Sequence, residues 1–152
     1  MCAQMEQLGV SVLRGDCVQW TLNGQSVVIC GIDDPDSGED QLSAAVQSVQ
    51  TVGADGFTVL LAHRPEKAEE YWQYPFDLIV SGHAHGGQWR LPGVINGLYA
   101  PHQGLFPKYA GGRYDLGGSV LLVSRGLARE STIIPRFFNR PELVLAEIVP
   151  VE

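Results

Sequence analysis

Two apolar runs flanking one short polar segment constrain this chain more than any other feature. "GFTVLLAH" (56–63) and "FDLIVSG" (76–82) are nearly continuous in Val, Leu and Ile, as strands buried on both faces are. Between them, "PEKAEEYWQ" (65–73) carries proline at its first turn and reads as a short helix. Strand, helix and strand so close together form a minimal parallel crossover. Parallel strands bring their C-terminal ends to one sheet edge, where open α/β sheets bind ligands. His63 ends the first strand, and His83 and His85 follow the second in "SGHAHGGQ" (81–88). Three of the four histidines therefore converge on one edge.

The rest of the chain fits around this unit. "GVSVL" (9–13) reads as a short strand. "CVQWTL" (17–22) and "QSVVICGI" (25–32) flank Asn23-Gly24, a strong hairpin signal. "DDPDSGED" (33–40) reads as a loop. Over 39–52, Leu42, Ala45, Val46 and Val49 recur at helical spacing. Residues 92–112 read as irregular. "SVLLVSRG" (119–126) and "ELVLAEIV" (142–149) read as late antiparallel strands. The expected fold class is α/β (α+β), with residues 1–152 in a single domain.

At 152 residues the chain is long enough to bury a core. Its formal net charge is −7, which argues against a nucleic-acid partner, since that requires a basic face. An anionic substrate remains compatible, because a bound metal inverts the local field. Cys2, Cys17 and Cys30 are odd in number and form no C-x-x-C pair. They predict buried thiols in a reducing compartment rather than a disulfide. No apolar run is long enough to span a bilayer, and residues 1–15 lack signal-peptide character. The expectation is a cytoplasmic or membrane-peripheral location.

Neutral imidazole is a common ligand for divalent transition metals. His63, His83 and His85 are the candidate ligands, for one zinc or for two ions in a binuclear centre. Gly82, Gly86 and Gly87 let the loop turn and present each ring separately. Two divalent ions carry about +4 and need carboxylates as well. Asp33 and Asp34 end a strand near the same edge, although "DDPDSG" also reads as a plain turn. Asp77 starts its strand, at the far edge, and Asp115 reads as hairpin polarity. Gln88, Arg90 and Arg125 are candidate substrate contacts; a bracing role or a salt bridge is the alternative for each. His102, in "YAPHQG", reads as a surface residue. Trp72, Trp89, Tyr99, Phe106, Phe137 and Phe138 read as packing. An H-x-H pair also occurs in amidohydrolase barrels, but those need about 250 residues and carry the pair on an early strand.

"VLLAHRPE" followed by "LIVSGHAHGGQWRLPG" resembles the C-terminal half of a calcineurin-like metallophosphoesterase. The likeness is to the subgroup of bacterial membrane-associated phosphoesterases and UDP-2,3-diacylglucosamine pyrophosphatase-type enzymes. It continues through "GLFPKYAGGRYDLGGSVLLVSRGL" (104–127) and "PRFFNRPELVLAEI" (135–148). It also reaches back to "LGVSVLRGDCVQW" and "VVICGIDDP". The resemblance implies hydrolysis of a phosphomonoester, phosphodiester or pyrophosphate by metal-activated water. It implies two divalent ions (Mn, Zn, Fe or Mg), with His63 and His83 on the second and His85 on the first. It also implies part of a β-sandwich with flanking helices.

One departure matters. The family's D-x-H, G-D and G-N-H-[DE] motifs, which supply the remaining ligands and the catalytic histidine, have no counterpart here; Gly15-Asp16 stands outside that context. The resemblance therefore implies a chain lacking the N-terminal half of the domain. It would carry part of the site, with weak or no activity alone. An exposed apolar sheet face, self-association, and membrane contact only through that other half are further expectations. The alternative function is a non-catalytic metal-binding or interaction module.

Overall fold

The computed structural model describes residues 2–38, 40–52, 55–127 and 135–149. A short helix, α1 (Cys2–Gln7), precedes the sheet. β1 (Asp16–Leu22) and β2 (Gln25–Ile32) form the expected antiparallel hairpin. Asn23 and Gly24 both sit at positive φ, 52° and 80°, as the tight primed turn requires. α2 (Gln41–Val52) follows, burying Leu42, Ala45 and Val49. β3 (Phe57–Ala62), a helical turn opening at Pro65, α3 (Ala68–Tyr71) and β4 (Leu78–Ser81) then complete the crossover. Beyond the histidine loop, β5 (Tyr99–Ala100) and β6 (Gly104–Leu105) form a small separate hairpin. β7 (Gly112–Leu116) and β8 (Ser119–Val123) return to the main sheet.

The main sheet has six strands in the order β1-β2-β3-β4-β8-β7. β2, β3, β4 and β8 run parallel, and β1 and β7 are antiparallel edges. Along each central strand, alternate residues face opposite layers. Val28, Cys30, Leu60, Ile79 and Leu121 are fully buried on one face, with α2 packed against β1 and β2. Full burial of each large aliphatic among them contributes about 1.5–3 kcal/mol relative to exposure. Val27, Val59 and Leu78 form a smaller cluster on the other face, where Leu61 stays 43% exposed.

Several expectations are corrected. Residues 9–13 are not a strand; Leu13 instead packs on Gly31, where any side chain would collide with it. Residues 142–149 form no strand: Leu143 and Leu145 are exposed, and no strand of the described residues pairs with them. β8 is parallel to β4 and antiparallel only to β7. Phe137 and Phe138 are exposed rather than buried, as are Trp72, Trp89, Tyr99 and Phe106.

The cysteines are also corrected. Cys17 and Cys30 are directly opposed partners in the hairpin and form a disulfide, leaving Cys2 free. The cause is register: a two-residue turn at 23–24 makes 17 face 30. No helix among the described residues is long and apolar enough to cross a membrane.

Candidate metal centre at the sheet edge

Parallel register sets the site. Leu61 pairs with Val80, and the ladder runs one step further as Gly82 N donates to His63 O at 3.3 Å. His63 and His83 thus leave adjacent strand ends side by side. His63 Nε2 lies 2.9 Å from His83 Nδ1, with ring centroids 4.5 Å apart. The opposite nitrogen of His83, Nε2, lies 2.8 Å from His102 Nδ1.

The loop that carries these rings is wound the wrong way for L-residues. His83, His85 and Gln88 all have positive φ, at 60°, 48° and 56°. Each such non-glycine residue costs of order 1–3 kcal/mol and persists only where its surroundings enforce it. Here residues 135–139 supply that enforcement. Asn139 Nδ2 donates to His85 O at 2.6 Å and to Gln88 O at 3.1 Å. Phe137 N donates to Gln88 O, and Arg90 N donates to Phe137 O, each at 3.0 Å. Gly86 lies against Asn139, where a Cβ would collide with the carboxamide. Glycine freedom alone therefore does not shape the loop; two of the histidines are themselves strained.

Electrostatics around the rings are lopsided. Arg64, nearly buried, ion-pairs with Asp34 at 2.7 Å and with Asp36, and its Nη1 lies 3.7 Å from Glu66 Oε1. Three carboxylates against one guanidinium leave a formal charge of −2. The Arg64 hydrogen bonds hold Asp34 at about 2. Asp34 Oδ2 lies 3.9 Å from His63 Nε2. Both Glu66 carboxylate oxygens are buried without a hydrogen-bond partner, a costly state for a charged group. Burial, and then neighbouring His63, lower the pKa of His83, favouring the neutral imidazole that ligates metals.

Glu66, His83 and His102 offer ligand atoms that all lie within 4.8 Å of one another. Glu66 and His102 were not picked out from the sequence as ligands. The signal for Glu66 was its place in "HRPE", in the helical turn that Pro65 opens just after His63. His102 is exposed, as expected, yet stacks on His83 at 5.0 Å.

The other candidates fall as follows. His85 is half-buried in the helical turn His85–Gly87; burial and Arg136 lower its pKa. Among the described residues, no hydrogen bond joins its ring to another imidazole. Asp33 pairs with Arg14 and bonds Gln41. Asp77 sits at the far edge, accepting from Thr58 N at 2.7 Å, and Asp115 pairs with Arg113 on the outer hairpin. Gln88 is buried and its carbonyl braces the loop. Arg90 donates to Asn96 Oδ1 at 2.5 Å. Arg125 ion-pairs with Glu142, so its salt-bridge role is realised.

The donor set fits a divalent ion. At Zn–N distances of about 2.0–2.1 Å, two nitrogens on one ion stand roughly 2.9–3.4 Å apart; the His63–His83 separation falls in this range. Asp34, 3.9 Å from His63 Nε2, adds negative charge beside that pair, which favours a cation there.

This is a mixed α/β chain with imidazoles gathered at the carboxyl ends of parallel strands. Several of its relatives are named metallophosphoesterases, and it resembles the calcineurin-like family. The chain is 38% identical over 90 residues to an uncharacterized metallophosphoesterase, YkuE, of Bacillus subtilis, covering 59% of this chain and 30% of the relative. It is 28% identical over 149 residues to an uncharacterized metallophosphoesterase of Aquifex aeolicus, covering 95% and 52%. It is 34% identical over 98 residues to a UDP-2,3-diacylglucosamine pyrophosphatase, LpxG, of Chlamydia muridarum, covering 57% and 27%. The chain spans between about a quarter and a half of the length of these relatives. No family model and no solved structure matches it.

Proposed function

We propose that this chain carries part of a divalent-metal phosphoesterase centre, with His63, His83 and His85 as metal ligands. The single observation behind this is the 2.9 Å approach of His63 Nε2 to His83 Nδ1, within an edge of net negative charge. A divalent ion bound there lowers the pKa of a water and polarises a phosphoryl oxygen. The chain's own residues hold the imidazoles of His63 and His83 convergent, burial favours the neutral form of His83 and His85, and Arg64 fixes Asp34 beside His63. The substrate is a phosphomonoester, phosphodiester or pyrophosphate, by analogy with the relatives.

Three neutral imidazoles supply too few ligands for a complete binuclear centre. We therefore expect weak or no activity from the chain alone. A second reading, a metal-binding module without turnover, follows from the same shortage of ligands. Hydrolysis of bis-p-nitrophenyl phosphate with Mn²⁺ tests the two. Slow turnover that is lost with chelator and in H83A supports the phosphoesterase. Metal binding without turnover favours the module.

A further inference from the structure

We propose that His102 is a positioning residue for His83: it accepts a hydrogen bond from His83 Nε2–H and so holds the tautomer whose Nδ1 lone pair faces His63. This deepens, and rests on, the histidine metal centre proposed above. Neutral imidazole has one N–H and one lone pair. A ligand histidine needs its lone pair on the metal side, and the group bonded to its other nitrogen decides which tautomer is present. His83 Nδ1 faces His63 at 2.9 Å, and His83 Nε2 faces His102 Nδ1 at 2.8 Å. The two rings lie 5.0 Å apart, within 25° of parallel.

His102 is held in place by structure outside the histidine loop. It sits at the tip between β5 and β6 with φ of 60°. Next to it, Gln103 Nε2 donates to Tyr109 O at 3.1 Å, and Tyr109 N donates back to Gln103 Oε1 at 3.0 Å. Leu98 N, just before β5, donates to Gly87 O at 2.9 Å and Trp89 O at 2.8 Å. The hairpin is thus clamped to the loop it serves. Glu66 lies beside this pair, with ligand atoms of all three residues within 4.8 Å of one another.

The rival arrangement uses Glu66, His83 Nε2 and His102 as a ligand set of their own, and the experiment separates the two. Long-range ¹H–¹⁵N spectra of the metal-free protein read the His83 tautomer directly. The expected result is the Nε2–H form in the unsubstituted chain, a mixture in H102A, and recovery in H102N, whose Oδ1 replaces the lost acceptor. Zinc titration should show 10–100-fold weaker binding in H102A, the usual effect of losing an outer-shell partner, with unchanged stoichiometry and with H102N restored. An Nδ1–H tautomer in the unsubstituted chain, or identical tautomers in that chain and H102A, overturns the proposal. A stoichiometry that falls in both H102A and E66Q and is not recovered in H102N overturns it in favour of the rival. Failure of the unsubstituted chain to bind zinc would instead contradict the metal centre, while the tautomer spectra still decide the role of His102.

Discussion

His83 presents its two ring nitrogens to two different histidines, Nδ1 to His63 at 2.9 Å and Nε2 to His102 at 2.8 Å. No other imidazole in the chain has this relationship among the described residues. His83 is therefore the ring whose loss should matter most to metal affinity. H83A should weaken divalent-ion binding by more than the 10–100-fold expected of an outer-shell residue, measured by competition with a chromophoric chelator.

Asp77 should matter to stability and not to metal. Its Oδ2 accepts from Thr58 N at 2.7 Å and Thr58 Oγ1 at 2.8 Å, at the sheet edge opposite the histidines. Thr58 is buried, so D77A leaves its amide without that acceptor. Urea unfolding should report a loss of about 1–3 kcal/mol, with unchanged zinc affinity.

The segment after β8 should loosen in acid. Glu142 ion-pairs with Arg125 and accepts from Arg125 N at 3.2 Å, and Arg125 holds its carboxyl below the usual value of 4.5. A depressed folded-state pKa stabilises above the unfolded value, and that contribution is lost as pH falls toward the folded value. Stability should therefore decline as pH drops below about 4.5. E142Q should flatten that part of the profile, as seen in denaturant melts run across the acid range.

The disulfide gives a chemical prediction. Thiol titration of the unfolded, unreduced chain should find one reactive cysteine, Cys2, rising to three after reduction. Reduction should cost about 3 kcal/mol, the loop-entropy value for a ring of roughly this size, read from unfolding with and without reductant.

Much of this was legible because it depends on local pattern. The Val/Leu/Ile runs marked β3 and β4 and predicted that His63 and His83 meet, and Asn23-Gly24 marked the hairpin. The disulfide was legible too, since the same turn makes Cys17 and Cys30 partners; counting cysteines without using the register concealed it. The segment at 142–149 was misread because its alternating leucines look like a strand, yet a strand also needs a neighbour to bond. His102 was missed because its approach depends on the fold of the 92–112 stretch, which has no periodicity to read. Glu66 was missed because a glutamate in a helical first turn usually faces solvent, whereas both of its carboxylate oxygens are buried here.

The most direct test is titration of the metal-free chain with zinc or cobalt, alongside H63A and H83A. The account predicts saturable binding, with cobalt giving a nitrogen-ligand visible spectrum, and severe loss in both variants while each still melts cooperatively. Equal binding by the unsubstituted chain and the two folded variants, or none by any of them, would contradict it.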